Sequence, residues 1–325
     1  MTISRTADGW LCGGESSGHA RSGFAINLQT TVLSAETVAR VADIAASNGA
    51  KLDGIATQSA SLAAGRAVVS LTGTFAGDLQ VLRRELIKQL DDRALDINCL
   101  DYSALNRDIR LAVFDMDSTL IKAEVIDELA VRAGVGEQVA TITKAAMRGE
   151  LDFKQSFAKR LGLLAGLDAG VIPQVAAQLQ LMDGATRLMN GLKARGCRIV
   201  IASGGFTHFA EHISGPLKVD EYHANVLDIA NGKLTGKVVV DIVDGARKAV
   251  LLQSIAAEHG IPLAQTLAVG DGANDLQMIG HAGIGVAFRA KPIVQQQAPY
   301  AINQLGLDGV LYLLGLNDVE IDATR

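Results

Sequence analysis

Three short, unbroken apolar runs, each ending in a cluster of small and polar residues, limit what this chain can fold into. Leu111-Ala112-Val113-Phe114 leads into Asp115-Met116-Asp117-Ser118-Thr119. Ile199-Val200-Ile201-Ala202 leads into Ser203-Gly204-Gly205, and Thr266 to Val269 leads into Gly270-Asp271-Gly272-Ala273-Asn274-Asp275. Apolar runs of this length with no polar alternation are strands covered on both faces, as in a parallel sheet between two layers of helices. In such a sheet the carboxyl ends of the strands share one edge, and open α/β folds bind their ligands there.

The segments around these runs fit the same plan. Between Leu120 and Met182 no buried strand is predicted. Amphipathic helices are predicted instead over Val125–Ala133, Gly136–Met147, Asp152–Leu163 and Val175–Leu181. They read as a helical cap inserted over about residues 121–183, able to close over a pocket and exclude water. Ala185–Arg195 returns as a helix, and strands then alternate with helices, which predicts a parallel, Rossmann-like core. Tyr222–Leu227 and Lys233–Ile242 are β-rich and flank Asn231-Gly232, a hairpin signal.

Upstream lies a different pattern. Residues 1–22 are rich in Gly and Ser and are expected to be mobile. Gly13 to Gly18 has neither a preceding strand nor a following Lys-Ser/Thr, so it is no phosphate loop. From Phe24 the order is strand (25–32), helix (from the N-cap Ser34 to Asn48-Gly49), strand (51–57), strand (67–75), helix (78–90) and strand (95–100). That βαββαβ order predicts a ferredoxin-like α+β domain. The expected division is 1–105 for this domain and 106–325 for the α/β domain.

Composition narrows the function classes. With 325 residues, 49% of them hydrophobic, the chain can build two or three cored domains. A formal net charge of −5 argues against a nucleic-acid partner. Cys12, Cys99 and Cys197 are far apart and lack metal-ligand spacing, as expected of thiols in a reducing compartment. His208 and His212 stand at i, i+4 but read as one face of a helix rather than a metal pair. Neither a signal peptide nor a run able to span a bilayer is visible, so a cytoplasmic protein without membrane attachment is expected.

Two carboxylates two residues apart at a strand end can divide labour, one as nucleophile through an aspartyl-phosphate and one as general acid and base. With Ser203-Gly204-Gly205, Lys248 and Gly270 to Asp275 in that order, the pattern resembles the four motifs of the haloacid dehalogenase-like phosphohydrolases, in the versions found among phosphoserine phosphatases. The resemblance implies that Asp115 attacks phosphorus and Asp117 shuttles the proton. It implies that Ser203, Gly204 and Lys248 bind the phosphoryl oxygens. Mg2+ would be held by the carboxylates of Asp115 and Asp271 and the backbone carbonyl of Asp117, with Asp275 orienting them from outside. For the rest of the substrate it implies Glu124 on the ammonium, Arg160 on the carboxylate, Met147 and Phe153 as apolar lid residues and Asn274 in the pocket. The implied reaction is hydrolysis of phosphoserine to serine and phosphate, the last step of serine biosynthesis.

The first domain resembles ACT-like regulatory domains, which implies amino-acid sensing or homodimerisation. Its loop Thr30–Ser34 lacks the glycine usual there, so both roles stay open. Two rivals to hydrolysis are a phosphotransferase that passes the phosphoryl group to another alcohol such as homoserine, and a regulatory amino-acid-binding protein.

Overall fold

The computed structural model describes residues 2–6, 9–13, 23–61, 65–101, 108–148, 150–239 and 242–324, without the side chains of residues 2–13 and Met147. Two compact units emerge, Met1–Asp108 with Pro299–Arg325, and Ile109–Ala298. The expected division has a single boundary at 105/106, whereas by compactness the C-terminal residues from Pro299 group with the first unit.

In the first unit, strands β1 (Thr2–Thr6) and β2 (Gly9–Gly13) pair antiparallel where no strand was expected. The ferredoxin-like order follows as β3 (Phe24–Thr30), α1 (Ala35–Ser47), β4 (Lys51–Ser61), β5 (Arg66–Thr74), α2 (Leu79–Leu90) and β6 (Asp96–Asp101). The sheet runs β4-β5-β3-β6, all antiparallel. Ser34 caps α1 by accepting the Thr37 N–H at 3.0 Å, and Asp78 caps α2 by accepting from Gln80 and Val81. One sheet face carries Ile26, Leu28 and Leu71 against Val41, Leu82 and Leu86 of the helices, all buried. Each such side chain contributes about 1.5–3 kcal/mol when fully buried.

The other face of that sheet presents Asn27, Gln58 and Asn98, also buried. The C-terminal segment covers them and supplies backbone partners. Gln58 Nε2 donates to the carbonyls of Tyr312 and Leu316, and Asn98 pairs twice with the Ala301 backbone.

The second unit is built on parallel strands in the order β13-β12-β7-β8-β9. These are β7 (Leu111–Phe114), β8 (Arg198–Phe206), β9 (Glu221–Asn225), β12 (Thr266–Gly270) and β13 (Ile284–Phe288). β7 and β12 are buried throughout, as their apolar runs require. The cap inserted after β7 holds α3 (Val125–Arg132), α4 (Gly136–Met147), α5 (Phe153–Gly162) and α6 (Val171–Ala176). Beyond it come α7 (Ala185–Ala194) and, after β8, α8 (Thr207–Ser214). The expected strand 222–227 splits at Val226. Its first part joins the parallel sheet as β9, and β10 (Leu227–Ala230) pairs with β11 (Lys233–Val238). Asn231 and Gly232 turn that hairpin with φ of 52° and 75°, the left-handed pair a tight turn requires.

Candidate active site

β7 ends at Phe114, and Asp115 continues its ladder by donating its N–H to the Val269 carbonyl at 2.9 Å. β12 ends beside it, which brings Asp271 and Asp275 to the same edge. Carboxylate oxygens of Asp115, Asp271 and Asp275 lie within 4.8 Å of one another, the one cluster of metal-ligand type among the described residues. Hard, all-oxygen donors of this kind suit a divalent cation such as Mg2+. His208 and His212 join no such cluster.

Lys248 lies on α9 (Gly245–Glu258), one turn after its N-cap Asp244. Its side chain is fully buried, with Nζ 2.8 Å from Asp115 Oδ2 and 2.7 Å from Asp275 Oδ1. The other oxygen of Asp275 accepts the Gly272 N–H at 3.0 Å. Both oxygens of Asp275 are thus engaged, so it acts as a brace between Lys248 and the Asp271 loop. An added Cβ at Gly270 would stand 2.3 Å from the Asp275 carboxyl carbon, so only glycine lets the brace fold back there.

Asp117 Oδ1 accepts the Val125 N–H that opens α3, at 3.2 Å. Ser118 holds φ of 55°, a strained value for a side chain other than glycine. Its hydroxyl donates to Glu124 Oε1 at 2.7 Å, and Thr119 Oγ1 donates to Asp271 Oδ1 at 3.3 Å. The strain is therefore held by bonds that aim Glu124 and Asp271. Gly205 passes so close to Asp117 that a Cβ would lie 2.6 Å from Asp117 Oδ2.

Above these groups opens a cavity of about 870 Å³. Asp115, Asp117 and Asp271 form its polar end, with Gly204 and Asn274 beside them. Cap residues form the opposite wall. Asp152 and Gln155 make a capping box at the start of α5. Phe153, Phe157 and Arg160 then recur at i, i+4 and i+7, so one helix face turns all three toward the cavity. Phe153 and Phe157 stack with centroids 6.2 Å apart. Arg160 Nε is buried with no hydrogen-bond partner. Glu124 and Asp127 also line the wall, and Asp127 Oδ1 is likewise unpartnered. Lys154, on the same helix, reaches Asp244 at 3.1 Å.

Of the residues expected from the sequence, Asp115, Asp117, Glu124, Phe153, Arg160, Gly204, Asp271 and Asn274 meet at this one cavity. Ser203, Lys248 and Asp275 are fully buried and reach it through their neighbours. The side chain of Met147 lies outside the described residues. Sequence reasoning missed Ser118, Thr119 and Asp127. The first two stand inside the Asp115 motif, and Asp127 stands one turn beyond Glu124 on α3, so their positions were the available signals.

Crowded, buried carboxylates shift their own acidities. Burial raises Asp117 well above the usual carboxylate range, and the charges of Glu124 and Asp115 add to it. Burial, with Asp115 and Asp275, pushes Asp271 up to about 8. Burial and Asp115 push Asp275 up to about 7, against the pull of Lys248. Glu124 is also raised by burial, with its Ser118 bond opposing. Burial alone would lower Lys248, but Asp115 and Asp275 outweigh it and hold the ammonium charged.

The site thus gathers crowded carboxylates around a buried ammonium at the strand ends of a capped parallel sheet. Comparison with known proteins gives the class. The family model of haloacid dehalogenase-like hydrolases matches residues 109–283, and the chain belongs to that family. A phosphoserine phosphatase of Streptomyces coelicolor is 47% identical over 246 residues, 76% of this chain and 60% of that protein. Another from Mycobacterium tuberculosis is 46% identical over 255 residues, 78% of this chain and 62% of that protein. The chain thus spans less than two thirds of the length of these two relatives. The crystal structure of a probable phosphoserine phosphatase from Vibrio cholerae, unliganded, is similar at a TM-score of 0.68 and 34% identity, covering 93% of this chain and 89% of that one. No helix among the described residues is long and apolar enough to cross a membrane.

Proposed function

We propose that this chain is a Mg2+-dependent phosphatase that hydrolyses phosphoserine to serine and phosphate. The observation that carries the reading is the pairing of Asp115 with the buried Lys248 ammonium, at 2.8 Å, beneath a cavity walled by Glu124 and Arg160. The names of the relatives support the choice of substrate.

A phosphate monoester resists attack because its dianion repels nucleophiles and its alkoxide leaves poorly. Lys248 answers the first problem with a fixed positive charge, aided by the Ser203 hydroxyl and the Gly204 N–H. Asp115 and Asp271, with the Asp117 carbonyl, would hold Mg2+, which when bound adds the charge neutralisation that lets an anion approach a dianion. Asp115 attacks phosphorus, and the bond to the serine oxygen breaks. Asp117, kept protonated by its buried and anionic surroundings, gives its proton to that oxygen. It then takes a proton from the water that hydrolyses the aspartyl-phosphate, and phosphate leaves. Arg160 offers its planar fork to the substrate carboxylate, and Glu124 offers its carboxylate to the ammonium. Phe153 and Met147 belong to the lid, and Asn274 to the pocket wall. Residues 109–298 would then hold the whole reaction, with the first unit as an ACT-like attachment. We place the protein in the cytoplasm, where the buried thiols of Cys99 and Cys197 stay reduced.

Phosphate release from phosphoserine, phosphothreonine, phosphoethanolamine and phosphoglycerate tests the reading. Phosphoserine should be turned over best, and Asp115→Asn should lose several orders of magnitude while staying folded. Preference for phosphoglycerate, or full activity in Asp115→Asn verified as not deamidated, would overturn it.

A further inference from the structure

Asn225 ends β9 and is completely buried. Its side-chain amide joins the end of β8 to the segment just before α9, which is distant from it in sequence. Nδ2 donates to the Gly204 carbonyl at 2.8 Å, and Oδ1 accepts the Val243 N–H at 2.9 Å. A carbonyl requires a donor and an N–H an acceptor, so these partners fix which way round the amide lies.

The Gly204 carbonyl and the Gly205 N–H are two ends of one planar peptide. That N–H donates to Ser203 Oγ at 2.9 Å. A continuous run of hydrogen bonds therefore leads from Asn225 through the peptide to the Ser203 hydroxyl. A donor on the carbonyl end polarises the peptide and strengthens its N–H as a donor. With one lone pair of Oγ taken by Gly205, the hydroxyl proton is the group Ser203 has left to give. The second bond of Asn225 holds Val243 directly before Asp244, the N-cap of α9. Asp244 accepts the Lys248 N–H at 2.9 Å through its backbone carbonyl, so this contact fixes the start of the turn that presents Lys248.

We propose that Asn225 is a positioning residue for phosphoryl binding. Its amide sets the Gly204–Gly205 peptide so that Ser203 directs its hydroxyl proton at the phosphoryl group, and it ties that strand end to the start of the Lys248 helix. The inference rests on the phosphatase reading above.

A double-mutant cycle tests it: wild type, Asn225→Leu, Ser203→Ala and the double variant. Leucine keeps the volume and removes both bonds. The readouts are kcat/KM on phosphoserine and, separately, the affinity for inorganic phosphate by calorimetry with Mg2+ present. Asn225→Leu is expected to lower kcat/KM by about 10- to 100-fold and to weaken phosphate binding. In the Ser203→Ala background the same change should cost at least about fivefold less, because the hydroxyl it orients is gone. A residue that merely fills the core would cost the same in both backgrounds, and that equality, or an unchanged Asn225→Leu, overturns the proposal. If Asn225→Leu does not fold, Asn225→Ser is run through the same cycle, since its shorter side chain spares the core but falls short of Gly204. A wild type that releases no phosphate from any ester would refute the phosphatase reading instead, while the phosphate affinities would still report the coupling.

Discussion

Lys248→Met should unfold this protein more easily, as well as silence it, and the size of the effect follows from the geometry. The side chain is fully buried, and its ammonium bonds Asp115 at 2.8 Å and Asp275 at 2.7 Å. Methionine matches the length of the stem but leaves both carboxylates facing Asp271 and Asp117 with no cation. Removing one partner of a buried ion pair costs about 3–5 kcal/mol, because the remaining charge is left without compensation. Asp275 already sits at about 7, so at neutral pH it can take up a proton at small cost. That relief puts the expected loss at the lower end, about 3 kcal/mol. For a domain of roughly 150–250 residues this lowers Tm by about 6–12 °C. The assay is thermal unfolding in chelated buffer at neutral pH, repeated with millimolar Mg2+. The cation should restore more of the loss in Lys248→Met than it adds to wild type, since it supplies the missing charge to the same oxygens. A Tm equal to wild type in chelated buffer, or no greater response to Mg2+, would refute the idea that this ammonium holds the carboxylates together.

Three further outcomes are expected. Arg160→Ala should raise KM for phosphoserine far more than for phosphoethanolamine, which lacks the carboxylate, by the 2–5 kcal/mol or so of a buried charged contact; equal losses on both would remove Arg160 from that role. Asp244→Ala should cost about 1 kcal/mol in urea unfolding through the lost N-cap on Arg247. The Arg247 N–H, with Lys154, holds the Asp244 carboxyl below its unfolded value of 3.8, so this stabilisation is fully present above pH 3.8 and lost as pH falls through the lower folded value. The gap between variant and wild type should therefore close in acid, and a gap that widens there would contradict the cap. Finally, a protein of residues 109–325 should aggregate more readily than one of residues 109–298. Without the first unit, the segment that carries the buried Leu307, Val310, Leu311 and Leu313 loses its bonds to Gln29 and Gln58 and the unit it groups with, while every proposed site residue is kept; sedimentation and phosphate release from the two would decide it.

Local chemistry in this chain could be read from its sequence, while pairings across it could not. β7 and β12 were legible because a strand buried on both faces must be apolar throughout. α1 and α2 were legible because Ser34 and Asp78 cap them and their apolar residues repeat at helical spacing. The fourth cap helix runs over Val171–Ala176 and not Val175–Leu181, and Pro173 does not interrupt it. The proline lies in the first turn of α6, where its missing N–H has no partner to lose. β3 misleads in a more instructive way. Its alternation of Ile26, Leu28 and Asn27, Gln29 is that of a strand with one wet face. Yet Asn27 and Gln29 are fully buried, and Gln29 Nε2 donates to the Gly309 carbonyl from the far end of the chain. Polar residues on a strand ask only for partners, and a returning segment with free carbonyls serves as well as water. The grouping of the C-terminal residues with the first unit was therefore not legible, since nothing local says which polar face they cover. The same limit separates the site residues that were legible from those that were not. Asp115, Asp117, Asp271 and Lys248 carry charge to strand and helix ends, and their types and order announce the chemistry. Asn225 works only through Gly204 and Val243, each about twenty residues away in sequence, so its place in the site exists only once β8 and β9 are side by side.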